Sequence, residues 1–197
     1  MRSSSRWALA AGLAVVLSVA AAPSIFAQGK GGTQGKGSTG APAAYVPDHT
    51  FQVNAATAGL EQVRLARLAI LRAANADVKS FAQKLLDERA RANDQLRQLA
   101  SGKGVKDLPS HPDRSTQAVF DSLDKRSGDN FDVSYIQQTV ANLVSDVAQF
   151  DSEAQNGADA DLRKYAASVL PVLRERLRTA QNIESKIAGR SNREPIH

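Results

Sequence analysis

Few residues of this chain have both the chemistry and the spacing of a reactive site. The 197 residues include histidines at 49, 111 and 197, and no cysteine. Without a thiol there is no disulfide framework, thiolate metal site, cysteine nucleophile or lipidated N-terminal cysteine. Glu194 and His197 have the E-x-x-H spacing that lets one helix present a carboxylate and an imidazole to a di-metal centre. Pro195 falls between them in the polar tail 189–197 and argues against the helix this spacing needs. Ser110 and His111 are adjacent, but no G-x-S-x-G turn surrounds the serine. Asp87-Glu88 and the Asp159/Asp161 pair fall near expected helix surfaces or an N-terminus, where carboxylates serve solubility and the helix dipole. The GKG unit at 29–31 and again at 35–37 would cradle phosphate only between a strand and a helix, and neither flanks it. No catalytic set emerges, so the expectation is a protein that is not an enzyme, with no cofactor and no metal ligands.

The arginines are the other reactive class. Arg64, Arg67 and Arg72 form one group, Arg89, Arg91 and Arg97 a second, and Arg174, Arg176 and Arg178 a third, all interleaved with acidic residues. Solvated, salt-bridged faces account for such a pattern. Docking to an anionic partner, such as lipid head groups or polyanionic wall material, is the alternative. The formal net charge of +5 includes Arg2 and Arg6, which belong to an expected export signal. The remaining +3 is too mild to argue for nucleic acid.

That signal is residues 1–27: two arginines, an apolar run from Trp7 to Ala22, a break at Pro23, and Ile25-Phe26-Ala27 before Gln28. An uncleaved membrane anchor is the alternative, but the run is short for a span of about 20 residues. No later apolar run approaches that length, so no transmembrane segment is expected after cleavage. The expected location is the periplasm, the outer membrane surface or the exterior, with envelope components as partners. Residues 28–47 are Gly-rich at their start and contain little that could be buried, as expected of a flexible linker.

Helical periodicity dominates residues 48–188. The first helix is expected from about Thr50 to Ala74, with Leu60, Val63, Ala66, Leu68, Ala69 and Ile70 on a broad apolar face. Asn75 or Asp77 can cap a second helix reaching about Ser101. A Gly- and Pro-containing loop over 102–114 and a short helix over about 115–126 follow. Asp129 is a candidate cap for a helix over about 130–155, on which Ile136, Val140, Leu143, Val147, Phe150 and Ala154 step by threes and fours. The last helix starts near Asp159 and contains Pro171, which should kink it. Gly128, Gly157 and Gly189 fall where helices should stop. With no period-two strand pattern, the chain is expected to be all-α: an antiparallel four-helix-type bundle with one extra short helix.

Val63–Leu96, Phe131–Phe150 and Leu162–Leu177, including VKSFAQ at 78–83 and LPVLRE at 170–175, resemble a family of exported bacterial helical proteins known as domain of unknown function 4142. The resemblance implies a ferritin-like bundle and no established activity. Its members commonly carry Glu where this chain has Gln62, and His where it has Arg89, Leu143 and Arg176. One Glu and three His from four helices would make a credible metal constellation. Here that set is degenerate, because arginine does not give up its proton and leucine has no donor atom. Two arginines inside a bundle need carboxylate or carbonyl partners, and Asp146, one turn after Leu143, is the first candidate. The functional expectation is an exported cell-envelope bundle that binds or supports rather than catalyses. A metal-binding or redox ferritin-like bundle and an envelope polyanion or lipid binder are the alternatives.

Overall fold

The computed structural model describes residues 46–191. The expected signal 1–27, most of the linker, and the tail beyond Ser191, with Glu194 and His197, lie outside the described residues. Among the described residues five helices follow in order: α1 (Val46–Arg72), α2 (Ala76–Gly102), α3 (Arg114–Asp124), α4 (Gly128–Asn156) and α5 (Ala160–Ser191). No strand occurs among the described residues.

Local chemistry sets the helix ends. Pro47 sits in the first turn of α1, where a missing N–H costs nothing, and α1 begins ahead of the expected Thr50. Asn75 caps α2, its side-chain oxygen accepting from Asp77 N and Val78 N. Asp113 caps α3 by accepting from Thr116 N. Two expectations are corrected here. Asp129 is not the cap of α4 but a first-turn residue, and Ser127 is the N-cap. Gly128 does not end a helix but opens this one, at φ +55, which explains the glycine. The last helix also passes Gly189 to reach Ser191, and it continues through Pro171, whose side of the helix is exposed.

Hydrogen bonds between the helices fix the topology. Asp48, in the first turn of α1, accepts from Ala158 N and Asp159 N at the α4–α5 turn. Asp132, near the start of α4, accepts from Ala74 N and Asn75 N at the α1–α2 turn. The start of α1 is therefore beside the end of α4, and the start of α4 beside the end of α1. Tyr165 near the start of α5 donates to Ala92 O late in α2, so these two are also antiparallel. The link from α2 to α4 must then travel the length of the bundle. It starts beside the beginning of α1, where Asp107 meets His49, and ends beside its last turn, where Asp124 of α3 meets Arg72. A single long crossover is the ferritin-like connection.

The two hairpins repeat each other at a constant offset of 84 residues. Shifting Asp48 by that number gives Asp132, and shifting Ala74 and Asn75 gives Ala158 and Asp159, so the two capping contacts are the same contact made twice. Phe51 maps to Tyr135, Phe81 to Tyr165 and Ala82 to Ala166, all buried. The bundle thus has a pseudo-twofold relation between α1–α2 and α4–α5. Asp132→Ala would leave two backbone N–H groups without their acceptor, at a cost of about 1–2 kcal/mol. Thermal unfolding of that variant should show a matching drop, and Asp132→Asn, which keeps one acceptor oxygen, should lose less.

Candidate functional site

At the centre of the bundle the buried stripe is polar. On α4 the residues Asp132, Thr139, Asp146 and Glu153 recur every seven positions and are all buried. Of the apolar stripe read from the spacing, Ile136, Leu143 and Phe150 are buried as expected, while Val140, Val147 and Ala154 are only partly buried. The helix is therefore rotated from the orientation that apolar residues alone suggest. Groups from elsewhere in the bundle satisfy two of these four, Asp132 and Asp146, and Thr139 donates to Tyr135 O of its own helix, which makes the rotation tolerable.

Three of these groups meet midway along the bundle. Gln62 from α1, Arg89 from α2 and Asp146 from α4 are each no more than 3% exposed. Gln62 and Asp146 are themselves a pair at the 84-residue offset, and Gln62 Nε2 donates to Asp146 Oδ2 at 2.5 Å. Arg89 Nε donates to Gln62 Oε1 at 2.6 Å, and its Nη2 forms an ion pair with the same Asp146 oxygen. Burial pulls the guanidinium down to about 10, with Tyr165 and then Glu88 opposing the shift. It still carries its charge at neutral pH. A charge-assisted triad of this kind is strong when complete and costly when broken.

The four degenerate positions are thus only partly reunited. Gln62 and Arg89 touch, held by the Asp146 that the sequence suggested. Leu143 is fully buried one turn earlier on α4. Arg176 does not join the triad. It makes a bidentate pair with Glu88, Nε to Oε2 at 2.7 Å and Nη2 to Oε1 at 2.9 Å. Glu88, expected on a solvated surface, is half-buried by that pair. The donor set does not fit a metal: Asp146 Oδ2 and Gln62 Oε1 are engaged by a guanidinium, itself a fixed cation, and Gln62 Nε2 adds a second donor to the same carboxylate oxygen. Among the described residues no three His, Asp or Glu side chains converge in a way that could hold an ion.

The remaining candidates disperse. His49 pairs with Asp107 at 2.9 Å. Ser110 Oγ and His111 Nδ1 lie 2.8 Å apart on an exposed loop, with no carboxylate to orient the imidazole. Most of the arginine faces resolve into local contacts: Arg174 with Asp151, Arg178 with Glu175, Arg97 with Pro109 O, and Arg64 over the Phe120 ring.

A second buried group went unnoticed in the sequence. Glu153, near the end of α4, has an Oε1 with no hydrogen-bond partner. A side chain at Gly157 would place its Cβ 2.3 Å from that oxygen and 2.8 Å from the Glu153 carbonyl, so the turn needs glycine. Burial, and then the neighbouring Asp48 and Asp159 carboxylates, push the Glu153 carboxyl up to about 7, against the pull of Arg163. Asp159 behaves oppositely. Burial alone would raise it, but hydrogen bonds from Lys103 Nζ and from the Leu162 and Asp161 amides outweigh burial and hold it low. Its fixed charge caps α5. Only the seven-residue spacing of polar residues on α4 could have pointed to Glu153.

Fold and site together define an all-α bundle of ferritin-like connectivity whose middle is closed by a buried ion pair. Residues 33–183 match the model of the family described as Domain of unknown function (DUF4142), and the chain belongs to that family. No curated protein matches it. Two solved structures are similar in fold. A DUF305 fragment from Deinococcus radiodurans has a TM-score of 0.63 at 12% identity, covering 72% of this chain and 97% of that one. A DUF305 protein from Streptomyces coelicolor, provisionally named as secreted, has a TM-score of 0.63 at 13% identity, covering 74% and 96%.

Proposed function

We propose that this protein is an exported cell-envelope bundle that works by binding or as a structural element, without catalysis and without a metal. The observation that carries this reading is Arg89 in the centre of the bundle. Its guanidinium takes up the acceptor atoms that a cation would need and adds a positive charge beside them. At about 5 Å and an effective dielectric near 20, its roughly 3 kcal/mol of repulsion per unit charge on an approaching ion offsets the attraction of the Asp146 carboxylate it is paired with. Export rests on the pattern of residues 1–27, and a role at the envelope on the glycine-rich stretch that follows. Among the described residues no helix is long and apolar enough to cross a membrane.

Reversal of the substitutions tests the metal-free reading. Gln62→Glu with Arg89→His, leaving Asp146 in place, would present two carboxylates and an imidazole from three helices. Cobalt(II) titration of this double variant should develop d–d absorption of a protein-bound ion, with the unmodified protein showing none. Equal cobalt binding by both would mean that the ion sits elsewhere and that Arg89 has no bearing on it.

A further inference from the structure

Beside the triad, α2 and α5 part to leave a groove of about 440 Å³, within the size range of small-molecule sites. Its walls are apolar: Leu85 and Ala92 from α2, Val169 and Leu173 from α5, with Val172 40% exposed at the mouth. The charged groups are unequal in number. Arg89, Arg91 and Arg176 all line the groove; Asp146 holds Arg89 from behind and Glu88 holds Arg176, so Arg91 is left with no carboxylate among the described residues and the groove keeps one net positive charge. Arg91 spends only its Nε, on the Asp87 carbonyl at 3.1 Å. Arg89 spends Nε and Nη2 on the triad, while its Nη1 has no partner among the described residues and is not sealed from solvent. Arg89, whose side chain is only 4% exposed, thus lines an apolar groove and keeps an open donor.

We propose that this groove binds a small amphipathic anion, with its carboxylate or phosphate at the arginines and its apolar part along Leu85, Val169 and Leu173. A cation is repelled by the excess positive charge. A purely apolar ligand would cover the Arg89 donor without satisfying it, which is costly. The inference rests on the reading that the bundle acts by binding, and it names the chemical class of what is bound. It requires neither export nor the absence of metal.

Isothermal titration calorimetry of the full chain with dodecanoate, below its micelle concentration, tests this. The expected result is saturable one-to-one binding, with dodecanol and dodecyltrimethylammonium at least about tenfold weaker. Val172→Glu places a negative charge at the mouth and Arg176→Gln removes one donor; each should weaken dodecanoate by about tenfold or more, with circular dichroism confirming the fold. Dodecyl phosphate should bind as dodecanoate does, and inorganic phosphate alone should not. The proposal is overturned by no saturable heat with dodecanoate, by equal binding of the cationic amphiphile, by variants that bind normally, or by association only with phosphatidylglycerol vesicles. None of these outcomes touches the cobalt result, so the groove and the metal-free centre fail separately.

Discussion

Asp146→Ala should cost about 3–5 kcal/mol, the largest loss expected from any single substitution in this protein. The truncation removes one carboxylate and strands two partners. Arg89 keeps its charge in a site that is 4% exposed at the side chain, and Gln62 loses an acceptor. Asp146→Asn should fall between, since it leaves an acceptor oxygen but no charge. At roughly 2–4 °C per kcal/mol for a domain of this size, the alanine variant should unfold some 6–20 °C lower. The joint replacement Gln62→Leu, Arg89→Met and Asp146→Leu should recover most of that loss, because an apolar trio avoids the desolvation of two charges. A triple variant as unstable as Asp146→Ala would show that the triad contributes net stability rather than specificity.

The second large effect depends on pH. Glu153 is raised in the folded protein to about 7 from an ordinary value near 4.5, chiefly by burial. Below the unfolded value both states hold the proton and the favourable contribution is complete. As pH rises from about 4.5 through 7, the unfolded chain gives up its proton first, and the contribution is lost. We expect the unmodified protein to lose about 2 kcal/mol between pH 5 and pH 8 from this group, out of the roughly 1.4 kcal/mol per pH unit that a fully shifted carboxyl would give. Asp132, also raised by burial, works in the same direction. Glu153→Gln should flatten most of the dependence and be the more stable protein at pH 8. Urea unfolding at the two pH values measures both; a wild-type protein equally stable at each would mean that Glu153 is ionised throughout.

These residues also show what could be read before the fold was known. The apolar periodicity of α1 places Ala66, Leu68 and Ala69 in the core, where they are. Asn75 was readable as a cap, because capping is a local event between neighbours in sequence. Asp146 could be singled out because an arginine at an interior position requires an acid. Glu88 was misplaced on a solvated face because its partner, Arg176, is 88 residues away. The orientation of α4 was misread for a related reason. Ile136, Leu143 and Phe150 of its apolar stripe are buried, yet the seam also faces inward through Asp132, Thr139, Asp146 and Glu153. Asp132 and Asp146 become acceptable only once donors arrive from α1, α2 and the turn between them, and Thr139 turns its hydroxyl onto Tyr135 O of its own helix. The 84-residue repeat is hidden because few residue types are shared beyond Asp48 and Asp132, Ala74 and Ala158, and Ala82 and Ala166: Gln62 faces Asp146, and Arg89 corresponds to Leu173.

The central claim is that Arg89 closes the middle of this bundle to metal. Its most direct test is elemental analysis of the unmodified protein, purified without chelator or affinity metal and then dialysed against zinc, iron or copper. The account predicts no stoichiometric transition metal at any of these steps. About one equivalent of bound metal per chain, lost on Asp146→Ala or Gln62→Ala, would contradict it.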